Sequence, residues 1–313
     1  MSTRQRRSSC HAGAVIFACV VNVSEGRDER VLSELSAATG PALLDLHRDP
    51  DHNRSVFTLA GSVDVIVPAA RSLAATAVDR LDLRTHQGAH PRLGVLDVVP
   101  FVPYEPGGPC PEDLSGAVVL RDDFARWLGA ELGVPSFLYG PLPGGRTRTL
   151  PDIRRHAFGT DGAPDGGGLT PDYGPARAEE RTGATAVGAR RVLVAYNVWV
   201  SSAEVARRVA PLVRGPHVRA LGLAVGHRAQ VSCNLVDPGR HGPARLHDDV
   251  AALVAEAGGA VEGAELVGLI PELVLAAVPP SRWAELGLSE GSTVESRLAD
   301  SAESSQRPAG EDS

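Results

Sequence analysis

An excess of positive charge is missing from this chain of 313 residues: 31 Lys plus Arg stand against 38 Asp plus Glu, a formal net charge of -7. That balance disfavours a surface built for nucleic acid or anionic lipid, and makes a small molecule the expected partner. Paired cysteines are missing too. Cys10, Cys19, Cys110 and Cys233 form neither a CxxC pair nor a dense framework, which excludes a disulfide scaffold or zinc ribbon and fits free thiols in a reducing, cytoplasmic setting. No apolar run reaches membrane-spanning length. The run from Ala14 to Val21 follows Arg4, Arg6 and Arg7 as in a signal peptide. It is short, has no convincing cleavage site and continues into Asn22-Val23-Ser24-Glu25-Gly26, so we expect a first strand behind a disordered tail at 1–13. HExxH, DxDxDG and Walker-type glycine runs are also absent, which leaves metal and nucleotide sites without a motif.

What is present is enough apolar residue, 43%, to bury real cores, and an order of elements that occurs twice. In the first half, the spacing predicts a strand to Val23, a helix behind the Ser24–Asp28 start signal, and strands at 42–47 and 55–60. A helix at 63–80 and a strand at 94–101 follow, then a helix near 112–132 and a strand at 136–139. The second half repeats the order: a strand at 192–200, a helix opened by a capping box in Ser201-Ser202-Ala203-Glu204, strands at 218–225 and 229–236, a helix around Leu246–Ala257 and a strand at 265–270. Strand, helix, strand, strand, helix, strand is the ferredoxin-like unit. The expected fold is therefore α+β, with two such subdomains, each an antiparallel sheet with helices on one face. Their expected bounds are 14–190 and 191–280, and 281–313 is expected as a C-terminal helix or disordered tail. The Gly- and Pro-rich stretch 140–188 is too long for an idle connection and is expected at the mouth of a cleft between the two sheets.

Two polar clusters are candidates for chemistry. Thr85-His86-Gln87-Gly88-Ala89-His90-Pro91-Arg92 lies between a helix and a strand, where an imidazole can exchange protons near neutrality and Arg92 can grip a carboxylate. His47-Arg48-Asp49-Pro50-Asp51-His52-Asn53-Arg54 has the composition of an ordinary turn. His47, Asp49, Asp51 and His52 with His86 and His90 also form a possible metal set, the rival chemistry of a metal-assisted hydrolase. The alternation of Gln230, Ser232 and Asn234 against Val231, Cys233 and Leu235 reads as a solvated sheet face or as the floor of a cleft.

At these residues the chain resembles the formiminotransferase domain family. The matching segments include VNVSEGRD at 21–28, DHNRSVFT at 51–58, HQGAHPRLGVLDVVPFVP at 86–103, RTLPDIR at 148–154, PDYGP at 171–175, TGATAVGARRVLVAYN at 182–197 and QVSCNLVD at 230–237. The resemblance implies a homodimeric cytoplasmic enzyme that passes the formimino group of N-formimino-L-glutamate to N5 of tetrahydrofolate, with no metal and no cyclodeaminase domain. It puts the catalytic histidine on His90 and the folate-contacting loop on Gly174, Pro175, Ala176, Arg177, Ala178, Glu179, Glu180, Arg181, Thr182 and Gly183. Side-chain chemistry adds Arg54 and Arg92 for the glutamate carboxylates, Asn53 for orienting hydrogen bonds, and Gln230 and Asn234 as further substrate contacts. A non-catalytic folate-binding protein on the same scaffold is the remaining alternative. His47 stands where relatives can carry a carboxylate, which leaves the donor, formimino or formyl, open. The folate loop has no aromatic ring to pack on a pterin, so weak folate binding is expected.

Overall fold

In a computed structural model, residues 16–88, 92–108, 111–157 and 168–306 are described. The tail at 1–13, His90, Cys10 and Cys110 lie outside them. The chain opens with β1 (Ile16–Val23), α1 (Glu29–Thr39), β2 (Leu43–Asp49), β3 (Arg54–Gly61), α2 (Val63–Arg80) and β4 (Leu96–Tyr104). In β1, alternate residues Phe17, Cys19, Val21 and Val23 go beneath the helices, as the period of two requires. Asp28 caps α1 by accepting from the N–H groups of Arg30 and Val31. α2 buries Ile66, Ala69, Ala70, Leu73, Ala74, Ala77 and Val78, a mostly small-residue face that lets it sit close to the sheet.

These strands pair in the order β2-β3-β1-β4, with every neighbour antiparallel. After the helix α3 (Ser115–Glu131) come β5 (Ser136–Leu142), β6 (Arg146–Arg148), the helix α4 (Leu150–His156) and β7 (Thr185–Ala189). They extend the sheet to seven strands beyond β4, in the order β7-β5-β6; β7 is parallel to both β4 and β5. The ferredoxin-like order thus holds for the first four strands, and a parallel extension, reached through the α3 crossover, is added to it. The stretch 140–188 is accordingly more than a connection. Its last segment is a buried strand in the middle of the sheet, where Gly188 is required because a Cβ would overlap the Tyr139 ring.

The second sheet contains β8 (Val194–Val200), α5 (Ala203–Val213), β9 (Val218–Val225), β10 (Arg228–Leu235), α6 (Pro243–Glu256) and β11 (Val261–Val267), with strands ordered β11-β8-β10-β9. This is the same order, antiparallel throughout. The helix cap falls one residue later than the expected capping box. Ser202 accepts from Val205 N, while Ser201 Oγ accepts from Ala260 N and closes the neighbouring loop. Two helices follow, α7 (Glu272–Ala276) and α8 (Val294–Gln306), so the Ser-rich stretch after Asp300 continues as helix through Gln306.

α8 ties the two halves together. Val294 and Leu298 pack with Leu44, Ala60, Val102 and Tyr104 on the first sheet's helix-free face. Glu295 accepts from Tyr104 Oη at 2.9 Å and from the N–H groups of Gly107 and Glu272. The second sheet's helix-free face turns the same way: its Glu265 carboxylate lies 3.6 Å from His47 Nε2 on β2.

Candidate functional site

Chain direction brings three loops of the first unit to one end of its sheet: the exit from β1, the β2–β3 hairpin and the entry to β4. Asn53 locks them. It is the one non-glycine residue with positive φ, 48°, among those described, a conformation asparagine tolerates better than most. Its Oδ1 accepts from Gly26 N at 3.0 Å, its Nδ2 donates to Gln87 O at 3.0 Å, and its carbonyl oxygen lies 2.9 Å from His86 Nε2. The side chain expected to orient a substrate is therefore engaged at both ends by backbone, and what it holds in register is the loops. Glycine is demanded at the contacts. A Cβ on Gly26 would overlap the Asp49 carbonyl oxygen, and one on Gly88 the His52 carbonyl oxygen.

Within the hairpin, Asp49 Oδ1 accepts from the N–H groups of Asp51 and His52, and Oδ2 lies 3.1 Å from His52 Nδ1. Burial pushes the Asp49 carboxyl up, but the hydrogen bonds from His52 and Asp51 outweigh it, and the net direction is down. Gly88 and Arg92 bracket the three residues that include His90. Arg92 donates to Gly88 O at 2.8 Å, and its Nη1 is 3.1 Å from His86 Nε2.

Beneath these loops lies a group that motif chemistry only half identified. Asp97, 1% exposed on its side chain, accepts from Leu93 N through Oδ1. Its Oδ2 receives Arg154 Nη2 at 2.9 Å and stands 3.3 Å from Arg54 Nη2. Burial lowers the Arg54 guanidinium to about 10 against the pull of Asp97, with Arg154 and Arg92 pushing the same way; it remains a cation at neutral pH. Arg92 is lowered for the same first reason, burial, opposed by Asp97. Neither Asp97 nor Arg154 was singled out from sequence. The signal for Asp97 was a lone acid inside the apolar run Val95 to Phe101.

The segment Gly174 to Gly183 runs beside the same end of the sheet. Gly174 (φ 87°) presses against Gly129 and the Val134 carbonyl. Arg181 donates to the carbonyls of Val78 and Leu81 at the end of α2, and its own carbonyl accepts from Leu83 N. Thr182 O accepts from Val95 N, one residue from the strand that carries Asp97. Gly174 to Arg177, Glu179 and Glu180 are exposed, while Thr182 is buried.

On β10, Ala229, Val231, Cys233 and Leu235 join the helix-side core, so Gln230 and Asn234 face the other way. Gln230 is fully buried, and neither of its amide atoms has a protein hydrogen-bond partner. Asn234 is exposed and four residues on, about 13 Å away at strand rise, so the two do not serve one small ligand group. The β9–β10 turn reaches the first unit's hairpin: a Cβ on Gly226 would sit 3.4 Å from Asp51 Oδ1.

The histidines of the rival metal set do not converge among the described residues. His47 faces Glu265, His52 faces Asp49, and His86 faces Asn53 O. The one group of three ligand types within metal reach there is His247, Asp248 and Glu285, remote in sequence from both candidate clusters, and Arg282 already pairs with both of its carboxylates at 2.7 and 3.0 Å. Cys19 and Cys233 are buried free thiols, and burial pushes Cys233 up to about 12, which makes it unreactive.

Residues 16–190 match the formiminotransferase domain, N-terminal subdomain. A glutamate formimidoyltransferase of Streptococcus pyogenes serotype M1 is 34% identical over 281 residues, 84% of this chain and 91% of that protein. One from Thermoplasma acidophilum is 31% identical over 301 residues, covering 91% of this chain and 97% of the relative. The formimidoyltransferase-cyclodeaminase of Rattus norvegicus is 34% identical over 275 residues, and there the match spans 50% of the longer protein.

Proposed function

The chain belongs to the formiminotransferase family, and we propose that it moves the formimino group of N-formimino-L-glutamate to N5 of tetrahydrofolate. The observation that carries the reading is that Gly26, Asn53, Gln87, Val95 and Thr182, each from one of the family's motif segments, meet at one end of one sheet, beside the Asp97 carboxylate and its two arginines.

In the proposed reaction, N5 of the reduced folate attacks the electrophilic formimino carbon while His90 takes the N5 proton. The tetrahedral adduct then collapses, the bond from carbon to the glutamate nitrogen breaks, and His90 returns the proton to that nitrogen. Arg54 and Arg92 hold donor carboxylate, which suits guanidinium forks kept charged in a half-buried site. Asn53 acts by fixing the loop that carries His90. Gln230 and Asn234, too far apart for one ligand group, contact different parts of the two substrates from the second sheet, and 174–183 receives the folate. No step needs a metal. A cytoplasmic homodimer is part of the proposal. No described helix is long and apolar enough to cross a membrane.

The test is to incubate the purified protein with N-formimino-L-glutamate and tetrahydrofolate and follow the formimino-folate adduct. Stoichiometric adduct and free glutamate are expected. Their absence at saturating substrates, with reduced folate also failing to raise the melting temperature, removes the acceptor from the proposal. A tightly held stoichiometric metal ion together with hydrolysis of the donor would favour the hydrolase instead.

A further inference from the structure

We infer that Arg154 is a donor-binding residue that pairs with the side-chain carboxylate of the glutamate moiety and sets the preference for a dicarboxylic donor; the inference rests on the transfer reading above. Arg154 comes from a helix inside the long connection. Thr149 caps α4, accepting from Asp152 N while Asp152 reaches back to Thr149 N, and Ile153 is fully buried beneath the helix. These contacts fix α4 against the sheet and leave the next residue, Arg154, directed at β4.

There its Nη2 donates to Asp97 Oδ2, the oxygen that also faces Arg54. One oxygen of a single buried carboxylate is thus shared between two guanidinium groups, and the other oxygen is committed to Leu93 N. Arg154 has five N–H donors, its Nε is buried with no hydrogen-bond partner, and its side chain keeps 22% of its surface open. A half-satisfied guanidinium is costly unless an anion completes it, and a carboxylate matches the fork with two parallel hydrogen bonds. Asp97 is then a positioning residue that aims Arg154. Arg54 and Arg92, on β3 and on the loop entering β4, are placed for the other carboxylate. Two carboxylates held from three separate elements would measure the length of the donor. The neighbours Arg155 and His156 do not share the role: Arg155 turns outward to Asp152, and His156 is exposed.

The experiment compares N-formimino-L-glutamate with N-formimino-L-glutamine, in which the side-chain carboxylate is an amide, using wild type, Arg154→Met and Arg154→Lys. Wild type should prefer the glutamate donor by about 30- to 100-fold in kcat/KM, the range of a charge-assisted hydrogen-bonded pair. In Arg154→Met that preference should collapse to about threefold or less, through a higher donor KM with folate KM within about twofold of wild type. Arg154→Lys should recover part of it. Calorimetric binding of L-glutamate against L-glutamine should follow the same pattern without turnover. An unchanged preference in Arg154→Met overturns the inference. So does a variant that loses both donors equally with a lower melting temperature, which would make Arg154 a tie between α4 and β4. If wild type transfers from neither donor, the transfer reading fails separately; a calorimetric preference for glutamate that Arg154→Met still shows, or that wild type never has, then overturns the inference too.

Discussion

The two ferredoxin-like units share a strand order but use the same end of the sheet differently. In the second unit the three loops there are short and carry no comparable polar cluster. Ser201 and Ala260 bond to each other through N–H···O and Oγ contacts, and the β9–β10 turn is the short Gly226-His227. In the first unit the equivalent loops carry Ser24–Gly26, Asp49–Asn53 and His86–Arg92, stitched by one asparagine and backed by Asp97 with Arg54 and Arg154. The unit is thus a frame, and the proposed chemistry rests on what three loops of one copy place at its end.

His90 should carry the largest effect that has no counterpart in the second unit. His90→Ala should lower turnover by at least ~100-fold, as expected for loss of a general base, with reduced-folate binding by calorimetry nearly unchanged. His86→Ala should cost less, because the His86 ring is turned to the Asn53 carbonyl oxygen, 2.9 Å from its Nε2. Near-normal turnover of His90→Ala in an otherwise active preparation would show that the family mapping has misplaced the chemistry.

Glycine substitutions at the same end of the two units should also differ. Gly88→Ala forces a methyl group into the His52 carbonyl and should cost about 1–3 kcal/mol with about tenfold or more of activity. Gly258→Ala, in the loop entering β11 of the second unit, meets nothing within 4 Å. Its φ of 73° should cost about 1 kcal/mol of strain and no activity. Urea unfolding and steady-state rates on both variants decide it; equal activity losses would deny the two ends their different roles.

Gln230→Met is a smaller effect of opposite sign. Replacing a buried, unpartnered amide by an apolar side chain of similar shape should raise stability by about 1 kcal/mol, roughly 2–4 °C, while lowering activity about tenfold. A fall in melting temperature with activity intact would make the amide structural.

Much of the frame was legible because period and punctuation agreed. The helix at 63–80 and the strand at 218–225 match α2 and β9, since each has a clear apolar period bounded by a turn signal or cap. β7 was not legible. Thr185-Ala-Val-Gly-Ala is five small residues buried throughout, a run too short to show any period and placed after a glycine-rich stretch. α4 did carry a signal, the capping pattern Thr149 to Asp152 with Pro151, but it lay inside what reads as loop, and Arg154 was missed with it. Of the candidate site, the loop residues stand out in the sequence as dense polar clusters. Asp97 does not, since its partners Arg54 and Arg154 are 43 and 57 residues away in sequence and only the fold joins them.

The smallest expected effect is in acid, and it again separates the two units. The depressed carboxyl of Asp49 is held mainly by hydrogen bonds from His52 and the Asp51 backbone, against the opposing push of burial. A carboxylate lowered in the folded state binds its proton more readily when unfolded. Its contribution is therefore complete above the ordinary carboxylate range and is lost as pH falls through and below that range. Asp248 in the second unit is lowered too, chiefly by the hydrogen-bonded Arg282 guanidinium, but its side chain is 57% exposed. An exposed ion pair is screened, whereas short hydrogen bonds from backbone N–H groups are not. Urea midpoints of wild type, Asp49→Asn and Asp248→Asn across the acid range, at low and high salt, should therefore diverge. The Asp49 difference should shrink with acid at either salt, while the Asp248 difference should already be small at high salt at neutral pH. If both respond to salt alike, Asp49 is held by its ion pair with His52 rather than by the turn, and the hairpin is less rigid than its hydrogen bonds imply.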